Sequence, residues 1–282
     1  MEKINYIKDT KDNKKYVFRL DDSYLIEAAV FSHNDGFHLC VPSQVGCAMK
    51  CRHCATTYVE PSFLRQLKYD EMVEMIYYLL QEVGKNKQSL TLSFSGHGEP
   101  MCNWQCVAAA IEHFKEIFDV IDVTSVGIRS TMKQILLENV IPNLFFSIHG
   151  SDDRERTRIV NPCDNMNVAF LEEIIEFCES YVLKKGGRCV WNYMLCNENM
   201  TKNSIMRLLE MVNNIDFPLE LRFTKYVNIC RDNGIREIPD DIVEKVLKEV
   251  KRKIRGNITV RYSHLEGIET QIACGQMRAR NK

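Results

Sequence analysis

Residues Gly36–Pro61 read GFHLCVPSQVGCAMKCRHCATTYVEP. The opening six residues have the make-up of a strand, entered through the turn signal Asn34-Asp35-Gly36. Directly after it, Cys47, Cys51 and Cys54 follow the spacing C-x3-C-x2-C. Three thiolates on one short loop can hold three irons of a [4Fe–4S] cube and leave the fourth iron open to an outside ligand. Zinc is the rival. It usually wants a fourth Cys or His, and His53 lies between two of the cysteines, where its own geometry is cramped.

Outward from this loop, helix and strand patterns alternate. The spacing of Met72, Met75, Ile76 and Leu79 predicts a helix over Tyr69–Gln81. Ser89–Phe94 alternates as a strand, Trp104–Phe118 is helical, and Val120–Val126 is a strand. A helix over Ser130–Glu138, an apolar run at Asn143–Ile148, a helix over Asn167–Leu183 and a strand at Arg188–Leu195 follow. Helix Lys202–Val212, strand Leu219–Tyr226, helix Asp240–Ile254 and strand Asn257–Tyr262 complete the series. Parallel neighbours need a crossover, so such alternation implies an α/β fold: a partial (βα)6 barrel with its chemistry at the strand C-termini. Upstream, Lys15–Leu20 and Tyr24–Phe31 are short β runs. The expected division is a β extension over 1–36 and a barrel domain over 37–282.

The 282 residues are 45% hydrophobic and 27% charged, the balance of a globular chain. No apolar stretch approaches a membrane span, and MEKINYIKDTKDNKK is no signal peptide, so a cytoplasmic location is expected. The net charge of −1 excludes a blanket polycation. From Lys245 to Lys282, ten Lys and Arg stand against three Asp and Glu, a net +7 that leaves −8 on the rest. Such an end can face an anionic partner, but EKVLKEVKRKIR (Glu244–Arg255) also has the spacing of an ordinary amphipathic surface helix, which is the reading preferred on charge alone. Twelve cysteines without an export signal should be buried hydrophobes, metal ligands or redox-active thiols. Cys163, Cys178, Cys189, Cys196 and Cys230 sit singly among apolar residues and read as core, and Cys102 and Cys106 as packing.

Other segments gain meaning beside the cysteine loop. SFSGHGEP (Ser93–Pro100) ends one strand, Thr124-Ser125-Val126-Gly127 the next, and Ser147-Ile148-His149 the one after. Taken with CVPSQVGCAMKCRHC and the late ACGQ (Ala273–Gln276), these occur in the order found in the radical-SAM RNA adenine C-methyltransferases of the RlmN/Cfr type, which the chain resembles from about Glu27 to Gln276. The resemblance implies a [4Fe–4S] cluster on Cys47, Cys51 and Cys54. It also implies S-adenosylmethionine (SAM) bound by Gly98, Glu99, Thr124, Ser147 and His149, with Asn228 as a looser match. It implies two SAM molecules per turnover: one methylates Cys274, and the other yields the radical that takes a hydrogen from that methyl group. Addition to carbon 2 or 8 of an adenine then gives a thioether cross-link. Glu27 matches the base that removes the proton from the attacked carbon, and Cys40 the thiol that resolves the cross-link by forming a disulfide with Cys274. A flavodoxin- or ferredoxin-type donor is the implied reductant, 23S ribosomal RNA the implied substrate, and a monomer the expected state.

The departures concern substrate recognition. The family carries an N-terminal accessory domain, whereas about 26 residues precede Glu27 here. His53 replaces a usual aromatic residue, and RYSHLEGIETQIAC (Arg261–Cys274) replaces a more acidic segment. Two other readings therefore remain open. One keeps the radical chemistry and acts on a tRNA, small molecule or peptide. The other is a non-enzymatic regulator whose cluster senses oxygen or iron.

Overall fold

The computed structural model describes residues 1–33, 35–59, 61–84, 89–160, 167–228 and 233–263. Contacts divide the chain into two compact units, one of Met1–Ala48 and Cys54–Ser125, the other of Met49–His53 and residues 126–263.

In the first unit, β1 (Glu2–Lys8), β2 (Lys14–Arg19), β3 (Leu25–His33) and β4 (Gly36–Val41) form an antiparallel meander. A hairpin of β5 (Gln44–Gly46) and β6 (Phe63–Gln66) follows, then α1 (Tyr69–Val83), β7 (Ser89–Phe94), α2 (Trp104–Phe114) and β8 (Val120–Ser125). Strands β7 and β8 add in parallel beyond β4, which therefore belongs both to the meander and to the parallel series. The four residues that predicted α1 are its buried stripe, because i, i+3, i+4 and i+7 share one helical face. The Glu71 carboxylate accepts the Lys68 N–H at 2.8 Å and closes the start of that helix.

The second unit pairs β9 (Asn143–Ser147), β10 (Cys189–Leu195), β11 (Leu219–Lys225) and β12 (Ile258–Ser263) in parallel. Its helices are α3 (Arg129–Leu137), α4 (Asp153–Ile159), α5 (Leu171–Lys185), α6 (Lys202–Asn213) and α7 (Asp240–Lys253). Trp191, Tyr193, Phe146 and Phe223 are fully buried; Phe146 meets Phe177 and Tyr193 meets Phe223 edge-on, each pair at 5.6 Å. Helix α7 buries Val243, Leu247 and Val250, with Asp240 and Asp241 in its first turn and Lys251–Lys253 in its last. That order suits the helix dipole, and Lys245–Asp241 and Lys253–Glu249 pair along its exposed face. The described part of the basic segment is thus the solvated helix face preferred from sequence.

The α/β alternation expected from sequence is present, as six strand–helix pairs (β4, β7, β8, β9, β10, β11) closed by β12 among the described residues. Three details differ. Helix α2 stops at Phe114, where Ile117 N–H turns back to the Phe114 carbonyl. Helix α5 starts at Leu171 rather than Asn167, because Asn167 has a φ of +47° and Val168 bridges to Ile128. Strands β1, β5 and β6 and helix α4 were not expected at all. No helix of the described residues is long and apolar enough to cross a membrane.

Candidate functional site

The first unit gathers its polar residues on one sheet face. Lys15, Ala29, Cys40, Ser93 and Asp122 are direct partners across β2, β3, β4, β7 and β8. Paired residues project to the same side, as do residues two apart on a strand. Glu27, two before Ala29, and Thr124, two after Asp122, therefore share the Cys40 face. Cys40 Sγ lies 3.2 Å from Ser95 Oγ, which in turn accepts from Ser93 Oγ at 2.8 Å. Burial pushes the Cys40 thiol up, while the Ser95 hydroxyl and the Lys15 ammonium pull it the other way. Glu27 is 3% exposed and paired with buried Lys15, Nζ to Oε2 at 2.5 Å. Removing one partner of such a buried pair typically costs about 3–5 kcal/mol.

At the end of β7 the chain folds back on β5. Gly98 has φ +99°, and a Cβ there would sit 2.6 Å from Gln44 Cβ and 2.8 Å from Gln44 N, so glycine alone allows this approach. Glu99 N–H donates to Gln44 Oε1 at 2.8 Å. The buried Glu99 carboxylate accepts the Met101 N–H at 2.9 Å and the Ser125 hydroxyl at 2.6 Å, both on Oε1. Asn103 Nδ2 donates to the carbonyls of Ser43 and Leu67, each at 2.8 Å, and pins the segment that leads into the cysteine loop.

None of the three motif cysteines stands in a disulfide. Cys47 N–H donates to the Ser62 carbonyl at 2.6 Å, and Cys54 opens a 3-10 turn (Ala55–Tyr58); both belong to the first unit. Cys51 is buried and belongs to the segment Met49–His53, counted with the second unit. There Arg52 anchors the segment by donating to the carbonyls of Arg158 (2.7 Å) and Asn233 (2.9 Å). Among the described residues, no three His, Cys, Asp or Glu side chains converge tightly enough for a single metal ion. The fit to a cluster is chemical: three thiols outside any disulfide, on one loop, are the donor set that thiolate-ligated iron takes.

In the second unit, Ser147 heads a paired row with Asn192, Arg222 and Arg261. His149 follows at φ +47° and is 6% exposed. Its Nδ1 accepts the Met194 N–H at 3.1 Å, which assigns the remaining proton to Nε2. Asn199 Nδ2 holds the His149 carbonyl at 2.8 Å. Burial first, then the neighbouring His53 and Arg156, keep His149 well below the ordinary imidazole range. The His53 ring stands edge-on to His149 at 5.1 Å, and burial pushes it down to about 4. Asn228 is exposed on the loop after β11; its N–H donates to Glu237 Oε1 at 2.8 Å and its Oδ1 accepts from Tyr226 at 3.4 Å.

Register thus brings Glu27, Cys40 and Thr124 to one face, with Gly98 and Glu99 at the end of β7; Ser147, His149 and Asn228 belong to the other unit. Cys274 lies outside the described residues, as do Cys163 and Cys230. Cys178, Cys189 and Cys196 are buried as expected. Burial and the nearby Glu99 charge push the Cys102 thiol up to about 12, which fits packing. Sequence reading missed Lys15, Gln44, Arg52 and His97. Gln44, Arg52 and His97 lie inside the quoted segments CVPSQVGCAMKCRHC and SFSGHGEP, whereas Lys15 carried no signal at all.

No family model matches the chain. Curated relatives do. A "Probable dual-specificity RNA methyltransferase RlmN" from Microcystis aeruginosa is 28% identical over 94% of this chain and 77% of its own length. Proteins of the same name from Dictyoglomus turgidum (27%; 98% of this chain and 79% of its own) and Shouchella clausii (28%; 97% and 78%) match as broadly. Among solved structures, a radical SAM methyltransferase from Sphaerobacter thermophilus superposes with a TM-score of 0.84 at 21% identity, over 98% of this chain and 80% of that one. Streptococcus suis SuiB bound to precursor peptide SuiA shares the fold more distantly, with a TM-score of 0.57 at 13% identity over 82% of this chain and 49% of that one. The chain is thus similar along nearly its full length to proteins named RlmN RNA methyltransferases, and it shares its fold with a solved radical SAM methyltransferase.

Proposed function

We propose that the enzyme places a methyl group on carbon 2 or 8 of an adenine in RNA, with 23S ribosomal RNA as the target, through a methylated Cys274 and two SAM molecules. The observation that carries this reading is the β3–β4 register, which sets the candidate base Glu27 and the candidate resolving thiol Cys40 on one sheet face. The names of the relatives support RNA as substrate. A cluster held by Cys47, Cys51 and Cys54 would, when bound, supply the electron that splits SAM into methionine and a 5′-deoxyadenosyl radical, and would take back the one electron that the RNA adduct loses along with its proton.

The chain's own residues do the rest. Glu99, with Gly98 giving close backbone approach, receives the amino group of SAM; Thr124, Ser147, His149 and Asn228 complete its binding. An amidine carbon is a poor nucleophile, so Cys274 carries the methyl carbon to it and stays joined to the RNA as a thioether. Glu27 takes the proton from the attacked carbon. Cys40 thiolate then attacks the Cys274 sulfur: the S–S bond forms, the S–CH2 bond breaks, and its electron pair goes to the carbon, which gains a proton as methylated RNA leaves. External reduction of the disulfide restores both thiols, and a flavodoxin- or ferredoxin-type protein is the proposed electron donor.

The test is trapping. Anaerobically reconstituted Cys40→Ala protein, given reductant, SAM and total cellular RNA, should accumulate an RNA adduct on Cys274. Absence of any adduct would refute the proposal.

A further inference from the structure

Glu27 is held by more than its own strand. Lys15 reaches it from β2, and His97 Nε2 stands 3.5 Å from the same Oε2 on the turn after β7. Both side chains of the Lys15–Glu27 pair are 3% exposed or less. Apolar residues of similar volume often serve stability as well as a buried ion pair does. Here the pair stands on the Cys40 face, in register with the thiol itself. The other titratable groups facing Glu27 are His97 and, along the same sheet face, Cys40 on β4 and Asp122 on β8.

We propose that Lys15 is a positioning residue for the deprotonation step: its ammonium holds Glu27 ionised and turned to the Cys40 face, ready to receive the proton. This rests on the reading of Glu27 as base. In the step itself, the C–H bond of the attacked carbon breaks and its electron pair stays on the adduct. The proton goes to a Glu27 oxygen, while Lys15 keeps its three protons and forms no bond. The same ammonium stabilises the Cys40 thiolate once that forms.

Two measurements test this on the full chain. In protein labelled with 13C at glutamate Cδ, the Glu27 signal is identified by its loss in Glu27→Gln and titrated between about pH 5 and 8. It should remain ionised in wild type and Lys15→Arg but titrate inside that window in Lys15→Met. In single turnover, Lys15→Met should slow release of RNA from Cys274 by about tenfold or more at pH 7, with recovery as pH rises. Lys15→Arg should stay within about threefold of wild type. Lys15→Gln replaces Lys15→Met should the latter not fold. A neutral variant that lowers the melting temperature yet leaves both the Glu27 titration and the release profile in place makes Lys15 merely structural and overturns the proposal. Release by Glu27→Gln at the wild-type rate would remove Glu27 as base, while the labelled titration still decides whether Lys15 governs its ionisation.

Discussion

Replacing Glu99 by glutamine separates two duties of one carboxylate. Met101 N–H and the Ser125 hydroxyl both donate to Oε1, so the amide oxygen of glutamine can accept both and hold the turn after β7. What it cannot replace is negative charge. A hydrogen bond to a charged group contributes about 1.5–3 kcal/mol against about 1 for a neutral pair. The deficit of about 0.5–2 kcal/mol corresponds to a rise of about 2–30-fold in the SAM dissociation constant. Equilibrium dialysis of SAM against anaerobically reconstituted protein reads that shift, and urea unfolding reads the turn, whose stability should change by less than about 1 kcal/mol. Unchanged SAM affinity in Glu99→Gln would refute the assignment. If stability also fell, the carboxylate would belong to the turn alone.

Gly98→Ala forces a side chain into a φ of +99° against Gln44, so a loss of about 1–3 kcal/mol is expected from the urea midpoint; a neutral result would mean the turn can relax. His149 has a depressed folded-state value, so the unfolded chain takes up that proton first as pH falls. Its contribution is therefore complete above about pH 6.5 and drains by at most about 1.4 kcal/mol per pH unit toward the folded value. His149→Asn tolerates the positive φ and keeps an acceptor for Met194 N–H, and should lose less stability than wild type between pH 7.5 and 5.5 in paired urea titrations. Cys51→Ala should abolish iron–sulfur absorbance and bound iron after reconstitution, whereas Cys102→Ala should leave both at wild-type levels. Zinc in place of iron in anaerobically prepared protein would refute the cluster.

Local patterns gave most of the secondary structure because they are periodic at short range. Met72, Met75, Ile76 and Leu79 announce one buried helical stripe wherever the helix docks, and SLTLSF has the alternation of β7 within itself. Strand β1 was missed because EKINYIK shows almost no buried position, and α4 because DRERTRI is polar almost throughout. Both are made by their neighbours: β1 by pairing along β2, α4 by the Asp152 cap on Glu155 N–H and by the buried Arg156, which donates to the Ala169 carbonyl.

The candidate site divides along the same line. Cys47, Cys51 and Cys54 could be proposed as cluster ligands from sequence because ligation by one loop is a matter of spacing, and Gly98-Glu99 could be singled out because a tight turn leaves its mark in adjacent residues. Nothing within KKYVFR distinguishes Lys15 from the neighbouring Lys14. Only the pairing of Lys15 with Ala29, and of Ala29 with Cys40, carries an ammonium to the face where Glu27 is buried. A strand's sequence states which residues alternate, but one residue of slip would turn each of them to the opposite face, so what stands beside Glu27 was decided by register and therefore by the folded sheet.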